Sequence, residues 1–248
     1  MALATQKPTG FTLIEMSIVL VIVGLVVGAI FSGKALIENS RLNNQVQQIK
    51  ELEVAYNTFV DKYDAIPGDM INASTYWPGA LNGDGNRRIT GDADWRGLEN
   101  IVFFSHLTYA ALLKHSYNGT PTIEQGYPEL KISKGKGMIA AGSIQQGGLD
   151  DMQLSDEKGR QLVTAALYIN VSRPSDGSSS FNDHLGVLTP AIAQTLDVKL
   201  DDGSASSGKL IAYSSYGTQT GNCLTAIGGD YLISNSEMAC CMEYMLER

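Results

Sequence analysis

The chain has 248 residues, enough for a well-buried core, and carries 26 acidic against 18 basic residues, giving a net charge of −8 at pH 7. This balance, without any cluster of Lys and Arg, argues against a nucleic-acid-binding protein. Three Cys are too few for a disulfide-framework miniprotein and fit no zinc-site spacing, and three scattered His offer little for a His-rich metal centre. Because the low charge content is concentrated at one end, the composition indicates a membrane-tethered globular protein.

The N-terminal end contains an apolar run of 23 residues from Phe11 to Gly33, in which Glu15 is the only ionisable side chain. At about 1.5 Å per residue, a helix of this length spans a hydrocarbon core of about 30 Å. A secretory signal peptide has a shorter apolar region, followed by a small-residue cleavage site that is missing here. The run therefore predicts a transmembrane helix over 11–33, preceded by a polar leader over 1–10 whose single charge, Lys7, agrees with the positive-inside rule.

Glu15 is unusual because it lies inside this apolar run. A carboxylate near the end of a lipid-spanning segment costs about 2–3 kcal/mol unless it reaches water or is paired. The residue is therefore either a functional group with a partner or an interface residue that reaches solvent, and the apolar pattern alone favours neither.

The sequence Gly10-Phe11-Thr12-Leu13-Ile14-Glu15, followed at once by the apolar helix, resembles the class III signal of type IV prepilins. The resemblance covers about residues 1–40. It implies cleavage between Gly10 and Phe11 by a prepilin peptidase, which also N-methylates Phe11, and it places Thr12 and Glu15 in the assembly region. In that family the matching Glu pairs with the N-terminal amine of a neighbouring subunit. The implied partners are other pilin or pseudopilin subunits, the peptidase/N-methyltransferase and an inner-membrane assembly platform.

Two further features lie along the same helix. Gly24 and Gly28 form a GxxxG pattern, which either marks a helix-packing face in the membrane or occurs by chance. The Pro that many members of the resembled family carry in mid-helix is absent.

The helix is predicted to continue as a second segment over 34–66, because apolar residues recur at steps of three and four and a clear stop follows at Pro67-Gly68-Asp69. We therefore expect one helix of over fifty residues. The stripe comprises Leu42, Val46, Ile49, Leu52, Tyr56, Phe59 and Tyr63. A coiled coil would also use such a stripe, but only about four turns are available before a head begins. We therefore expect an amphipathic spine on which a globular head over 67–248 packs.

Within the head, short apolar runs alternate with turn-rich segments, which predicts an α+β fold with a small antiparallel sheet. Together with the long N-terminal helix, this is the pilin-like architecture that the resemblance implies. The predicted elements are a loop over 67–97, a helix over Leu98–Lys114, a strand over Leu162–Val171, a turn over 173–180, a helix from Thr189-Pro190 to Leu196, and short strands over Leu210–Tyr213 and Tyr231–Ile233.

The loop after the spine contains a candidate calcium site. Asparagine and aspartate alternate with glycine there, and Ca²⁺ takes six to eight oxygen ligands from such flexible backbone. The candidate ligands are Asn82, Asp84, Asn86, Asp92 and Asp94. The opening resembles an EF-hand loop, but Ala93 stands where the bidentate Glu belongs, and an ion-free Asx turn uses the same residues. A second acidic turn at Asp197, Asp201 and Asp202 is a weaker candidate.

All three cysteines lie in the last 26 residues. A head outside the cytoplasm would allow a disulfide between Cys223 and either Cys240 or Cys241, closing a loop of about 18 residues as many pilins do. The third cysteine would then be buried or unpaired.

No catalytic motif of a hydrolase, zinc protease or P-loop enzyme is present. The resemblance to prepilins implies the function of a filament subunit, in a type IV pilus-like or type II secretion pseudopilus filament, rather than an enzyme. The expected location is the inner membrane, with an extracytoplasmic head, and then the filament. The alternative is a membrane-anchored binding protein or pilus-tip adhesin that depends on calcium.

Overall fold

The protein is described by a computed structural model. The described residues are 10–87, 89, 98–120, 124–132, 138–143, 165–170, 186–214, 223–226 and 228–246. The predicted turn over 173–180, the ends of the predicted strand Leu162–Val171, and the candidate ligands Asp92 and Asp94 lie outside these ranges. The chain divides into two compact units, 1–43 and 44–248, with the boundary inside the first helix.

The first helix, α1, runs without a break over Leu13–Tyr63, which is 51 residues. Its apolar N-terminal part is exposed over residues 13–32, and it is long and apolar enough to cross a membrane. The helix ends as Asp64 adopts a left-handed backbone with φ of 47°, shortly before Pro67 and Gly68. The expectation of one helix of over fifty residues is thus confirmed.

The second half of α1 forms one wall of the head core. Ile49 and Phe59 of the predicted stripe are fully buried. The ring of Tyr56 stacks on Phe103, with ring centroids 6.3 Å apart. Phe103 belongs to α3, the helix over Leu98–Tyr109, which buries its apolar face in the same core. A short helix, α2, spans Ala73–Tyr76 within the predicted loop.

The head sheet has four strands, all antiparallel to their neighbours, in the order β1-β2-β4-β3. Helix α4 spans Pro190–Leu200 and precedes β3, and β4 lies between β2 and β3. The strands are β1 Met138–Ser143, β2 Ala165–Asn170, β3 Leu210–Ser214 and β4 Cys240–Met245. The α+β, pilin-like layout is therefore confirmed.

Several predicted boundaries were wrong. The helix expected over Leu98–Lys114 ends at Tyr109, because Ala111 takes a left-handed conformation with φ of 56° and the Leu112 amide donates back to the Leu107 carbonyl. The segment Tyr231–Ile233 is not a strand; Tyr231 makes only an isolated bridge to Leu224.

Other predictions needed smaller changes. Helix α4 continues to Leu200 rather than ending at Leu196, although its start was predicted correctly: Thr189 accepts a hydrogen bond from the Ile192 amide and Pro190 occupies the first turn. Strands β1 and β4 were not predicted.

Candidate processing and assembly site

The start of α1 is fixed by a reciprocal pair of contacts between Thr12 and Glu15. The Thr12 amide and hydroxyl both donate to the Glu15 Oε2 atom at 2.7 Å, and the Glu15 amide donates to the Thr12 Oγ1 atom at 3.3 Å. This is a capping box, in which two amides that a helix N-terminus leaves unsatisfied gain side-chain partners. The motif residues Thr12 and Glu15 therefore define where the helix begins.

The peptide bond expected to be cleaved lies just outside this cap. Gly10 and Phe11 precede the helix and are both exposed, and Phe11 is 78% exposed. No atom lies within 4 Å of the position that a Cβ atom on Gly10 would occupy. The described part of the chain therefore leaves this bond accessible and does not itself require glycine at position 10.

Gly24 and Gly28 lie on the exposed apolar part of α1. No neighbouring atom lies within 4 Å of a Cβ position on either residue, so both offer open surface in the single chain. Their role as a packing face stays a prediction, because a second helix is needed to test it.

Comparison with known proteins bears on this segment. Residues 6–31 match the family model described as the prokaryotic N-terminal methylation motif. The chain carries a class III prepilin-type signal. Searches of curated proteins and of solved structures found no match. The prepilin-type signal supports a type IV pilin-like or pseudopilin-like, membrane-anchored protein, and it implies processing by a prepilin peptidase and assembly with other pilins in general.

The candidate calcium loop is organised around Asp69, a residue that the sequence pattern indicates only as part of a helix stop. Its Oδ1 atom accepts from the Gly85 and Asn86 amides at 2.7 and 3.0 Å, and its Oδ2 atom accepts from the Arg87 amide at 2.7 Å. Burial, followed by smaller contributions from Asp84 and the Glu99 charge, raises the pKa of Asp69 to about 6. The loop thus wraps its backbone donors around a buried carboxylate.

Three carboxylates approach one another at this loop. One oxygen from each of Asp69, Asp84 and Glu99 lies within 4.8 Å of the others. Of the predicted ligands, Asn86 contacts Asp84 through its side-chain amide at 2.8 Å, whereas the Asn82 side chain accepts from the Ser74 amide instead. The structure therefore adds Asp69 and Glu99 to the candidate set, and both are far from Asp84 in sequence.

The second acidic turn has a structural role in joining α4 to its surroundings. Asp197 is fully buried, and its Oδ2 atom accepts from the Tyr231 hydroxyl at 2.7 Å. Burial raises the pKa of Asp197 to about 6.

The Asp201 carboxylate accepts from the Lys209 and Leu210 amides at the start of β3. Asp202 accepts from the Ser207 hydroxyl and the Ser204 amide.

His106 is a buried side chain whose two ring nitrogens both contact the backbone. Its Nδ1 atom accepts from the Gly68 amide at 2.8 Å and its Nε2 atom lies 2.7 Å from the Leu81 carbonyl oxygen, which assigns the proton to Nε2. Burial lowers the pKa of His106 and favours this neutral form. The imidazole therefore bridges the chain after α1 to the loop at Leu81.

The cysteines resolve the two pairings that the sequence left open. Cys223 is bonded to Cys240, with their Cα atoms 4.8 Å apart, and the bond ties the 223 turn to the first residue of β4. Cys241 lies outside the disulfide and is buried, and burial raises the pKa of its thiol to about 12. The Cys241 thiol is thus held in its protonated, unreactive form.

Proposed function

We propose that the chain is a subunit of an extracytoplasmic filament of the type IV pilus or type II secretion pseudopilus kind. The observation that supports this most is the prepilin-type signal that leads directly into α1. A globular protein rarely exposes so long an apolar surface, and such a surface indicates a membrane or a partner. In this proposal the chain first spans the inner membrane with its head outside the cytoplasm, and then enters the filament.

Assembly begins with removal of the leader, residues 1–10, on the cytoplasmic side and methylation of the new N-terminus at Phe11. The apolar part of α1 then leaves the bilayer and packs against the helices of neighbouring subunits. Side chains such as Leu13, Leu20 and Phe31, which are 89%, 71% and 68% exposed in the single chain, would be covered again in the filament. Each Å² of apolar surface that the filament keeps out of water stabilises the packed state by about 25 cal/mol.

Glu15 would set the register of this packing. It follows Phe11 by four residues, so its carboxylate in one subunit can meet the Phe11 amine of a staggered neighbour. Before assembly, Thr12 already supplies two hydrogen-bond donors to the Glu15 carboxylate. These donors reduce the cost of keeping a charge at the edge of the apolar segment until the amine of a neighbour arrives.

In this proposal the chain works by assembly rather than by catalysis. Two buried ionisable groups in the described part of the head have structural partners: His106 bridges two backbone groups and Asp197 binds Tyr231.

Fractionation of cells into membranes and sheared filaments tests the proposal. Mature chain in the filament fraction, together with other pilin-like subunits, is the expected result. A mature chain that stays entirely in the membrane fraction, in cells that assemble filaments, contradicts it.

A second candidate function is that of a membrane-anchored binding protein or pilus-tip adhesin that depends on calcium. The observation that favours it is the convergence of Asp69, Asp84 and Glu99, whose carboxylate oxygens are close enough to share one cation. The fit is partial, because both Asp69 oxygens also accept backbone amides. A bound cation would offset the repulsion among three carboxylates, two of which are buried.

Calcium removal should lower the melting temperature of the detergent-solubilised chain at pH 7 by about 5–10 °C, since a ligand at a hundred times its Kd adds about 2.7 kcal/mol. Asp84→Asn should abolish this response to a chelator, whereas Asp230→Asn, an exposed substitution outside the group, should keep it. Identical melting curves with and without chelator, and no bound calcium by elemental analysis, would leave the loop as an ion-free turn.

A further inference from the structure

The disulfide of the head joins two segments whose backbones are also held by hydrogen bonds. The Cys223 amide donates to the Ser214 Oγ atom at 3.0 Å, and the Leu232 amide donates to the Cys223 carbonyl at 2.8 Å. Ser214 lies directly opposite Cys240 in the register of β3 and β4. Because directly opposed side chains lie on the same face of an antiparallel sheet, Cys223 is held on the face that carries Cys240.

Cys241 lies on the opposite face of β4, because successive side chains of a strand point to opposite faces. The Cα atoms of Cys223 and Cys240 are 4.8 Å apart, which is within the range that disulfides occupy. A thiol on the far face cannot reach the same partner without movement of the backbone. A bond between Cys223 and Cys241 therefore requires β4 to shift by one residue.

Such a shift would exchange the two faces of β4. In the observed register the Tyr244 hydroxyl lies on the face of the disulfide and donates to the Glu53 Oε2 atom at 3.0 Å, whereas Glu243 is buried on the other face. After the shift Glu243 would take the place of Met242, on the face of Glu53, and Tyr244 would leave its partner. The slipped strand thus loses a hydrogen bond and brings two carboxylates to one face.

The unfolded chain does not distinguish the two pairings. Cys240 is 17 residues from Cys223, and Cys241 is one residue further along the chain. Because the entropy of loop closure changes only slowly with loop length, both bonds should form in about equal amounts before the head folds. The choice between them then depends on the folded sheet.

We propose that the register of β4 selects the Cys223–Cys240 bond and that a Cys223–Cys241 bond, formed earlier, is converted into it by thiol–disulfide exchange. A thiolate attacks Cys223 Sγ and releases Cys241, which takes a proton from water; the Cys240 thiolate then attacks Cys223 Sγ and releases the first thiolate. The exchange is redox-neutral, and the thiol acts as a catalyst. The first bond requires a disulfide oxidant that accepts the two electrons of two cysteine thiols.

The folded head then closes the reverse route. Cys241 is fully buried in β4 and Cys240 and Cys223 are fully buried as well, so no thiolate reaches the finished bond. This selection concerns the head alone and does not depend on filament assembly. The partner that the chemistry calls for is a thiol catalyst, either a small thiol or a protein with a reactive dithiol.

Disulfide mapping of the detergent-solubilised wild-type chain tests the selection. In urea with reduced and oxidised glutathione, the Cys223–Cys240 and Cys223–Cys241 bonds should form in about equal amounts. After removal of urea in the same glutathione mixture, Cys223–Cys240 should exceed the other bond by at least about tenfold. A similar excess already present in urea, or an equal mixture in the folded chain, overturns the inference.

Two matched variants provide a readout of opposite sign. Cys241→Ala and Cys240→Ala each leave one possible pairing, and both are oxidised in urea and then refolded. Reduction should lower the melting temperature of Cys241→Ala by about 6–12 °C, because a native bond is lost. It should raise the melting temperature of Cys240→Ala, or restore folding to it, because β4 can then return to its register. An equal lowering in both variants, or no effect of reduction on Cys240→Ala, overturns the inference.

Discussion

Replacing Glu15 with alanine is expected to leave cleavage and membrane insertion unchanged but to remove the chain from filaments. In the membrane the carboxylate lies at the edge of the apolar segment, where it can reach water, so insertion does not depend on it. In a filament core, where water is scarce, removing Glu15 leaves the Phe11 amine of the neighbour without its partner. That loss costs about 3–5 kcal/mol, which corresponds to a reduction of about 10²- to 5 × 10³-fold in incorporation.

Two matched variants separate the ion pair from the capping box. Glu15→Gln can still accept from the Thr12 amide as a capping residue but carries no charge, so it should fail in filaments as Glu15→Ala does. Glu38→Ala removes an exposed carboxylate further along α1 and should assemble normally. Measuring each variant in membranes and in sheared filaments decides the matter. Full incorporation of Glu15→Gln would show that filament assembly needs the helix cap and not the charge of Glu15. Loss of Glu15→Ala from the membrane fraction would show that Glu15 is needed for membrane insertion.

Removing the disulfide is the second change with a large expected effect, this time on stability. Cys223 and Cys240 are both fully buried and are separated by 17 residues in sequence. In the chain-entropy model, closing a loop of this size raises the free energy of the unfolded chain by about 3 kcal/mol, because it removes conformational entropy. Cys223→Ala/Cys240→Ala should therefore lower the melting temperature of the detergent-solubilised chain by about 6–12 °C.

Cys241→Ala is the control for this prediction, because it truncates a buried cysteine on the same strand without touching the disulfide. Its expected cost is about 1 kcal/mol, arising from the small cavity it leaves. Reducing agent should lower the melting temperature of the wild type and of Cys241→Ala, but not that of the double variant. Equal melting temperatures for the double variant and the wild type would show that the bond contributes nothing to the stability of the head.

The long helix was predictable because its signals are local and strong. A membrane-length apolar run, an apolar stripe of helical period and the stop at Pro67-Gly68 together place it within a few residues of the observed α1. The start of α4 was equally predictable, since Thr189-Pro190 is a helix-start signal that depends only on neighbouring residues.

The sheet was only partly predictable, because its central strand does not alternate. All six residues of β4, Cys240–Met245, are buried, and they include Glu243. A central strand that is covered on both faces has no period-two pattern, and a charged residue inside it argues against a strand. Strand β1, Met138–Ser143, contains a single β-branched residue and no aromatic residue, so its β propensity is weak.

The organisation of the acidic loop was missed for a different reason. Asp69 and Glu99 lie 15 residues on either side of Asp84, and only the tertiary fold brings the three together. Spacing within the Asn82–Asp94 segment therefore identified one member of the group.

The end of α3 was not predicted either, because Ala110 and Ala111 are good helix formers and no glycine marks the left-handed turn.

Mass spectrometry of the mature N-terminus tests the central claim most directly. In cells with an active prepilin peptidase, the chain should begin at N-methylated Phe11 and lack residues 1–10. Gly10→Val should remain uncleaved, although the described structure leaves room for the added side chain, so a folding defect would not explain the result. A wild-type chain that keeps Met1 and its whole leader in those cells would contradict the account.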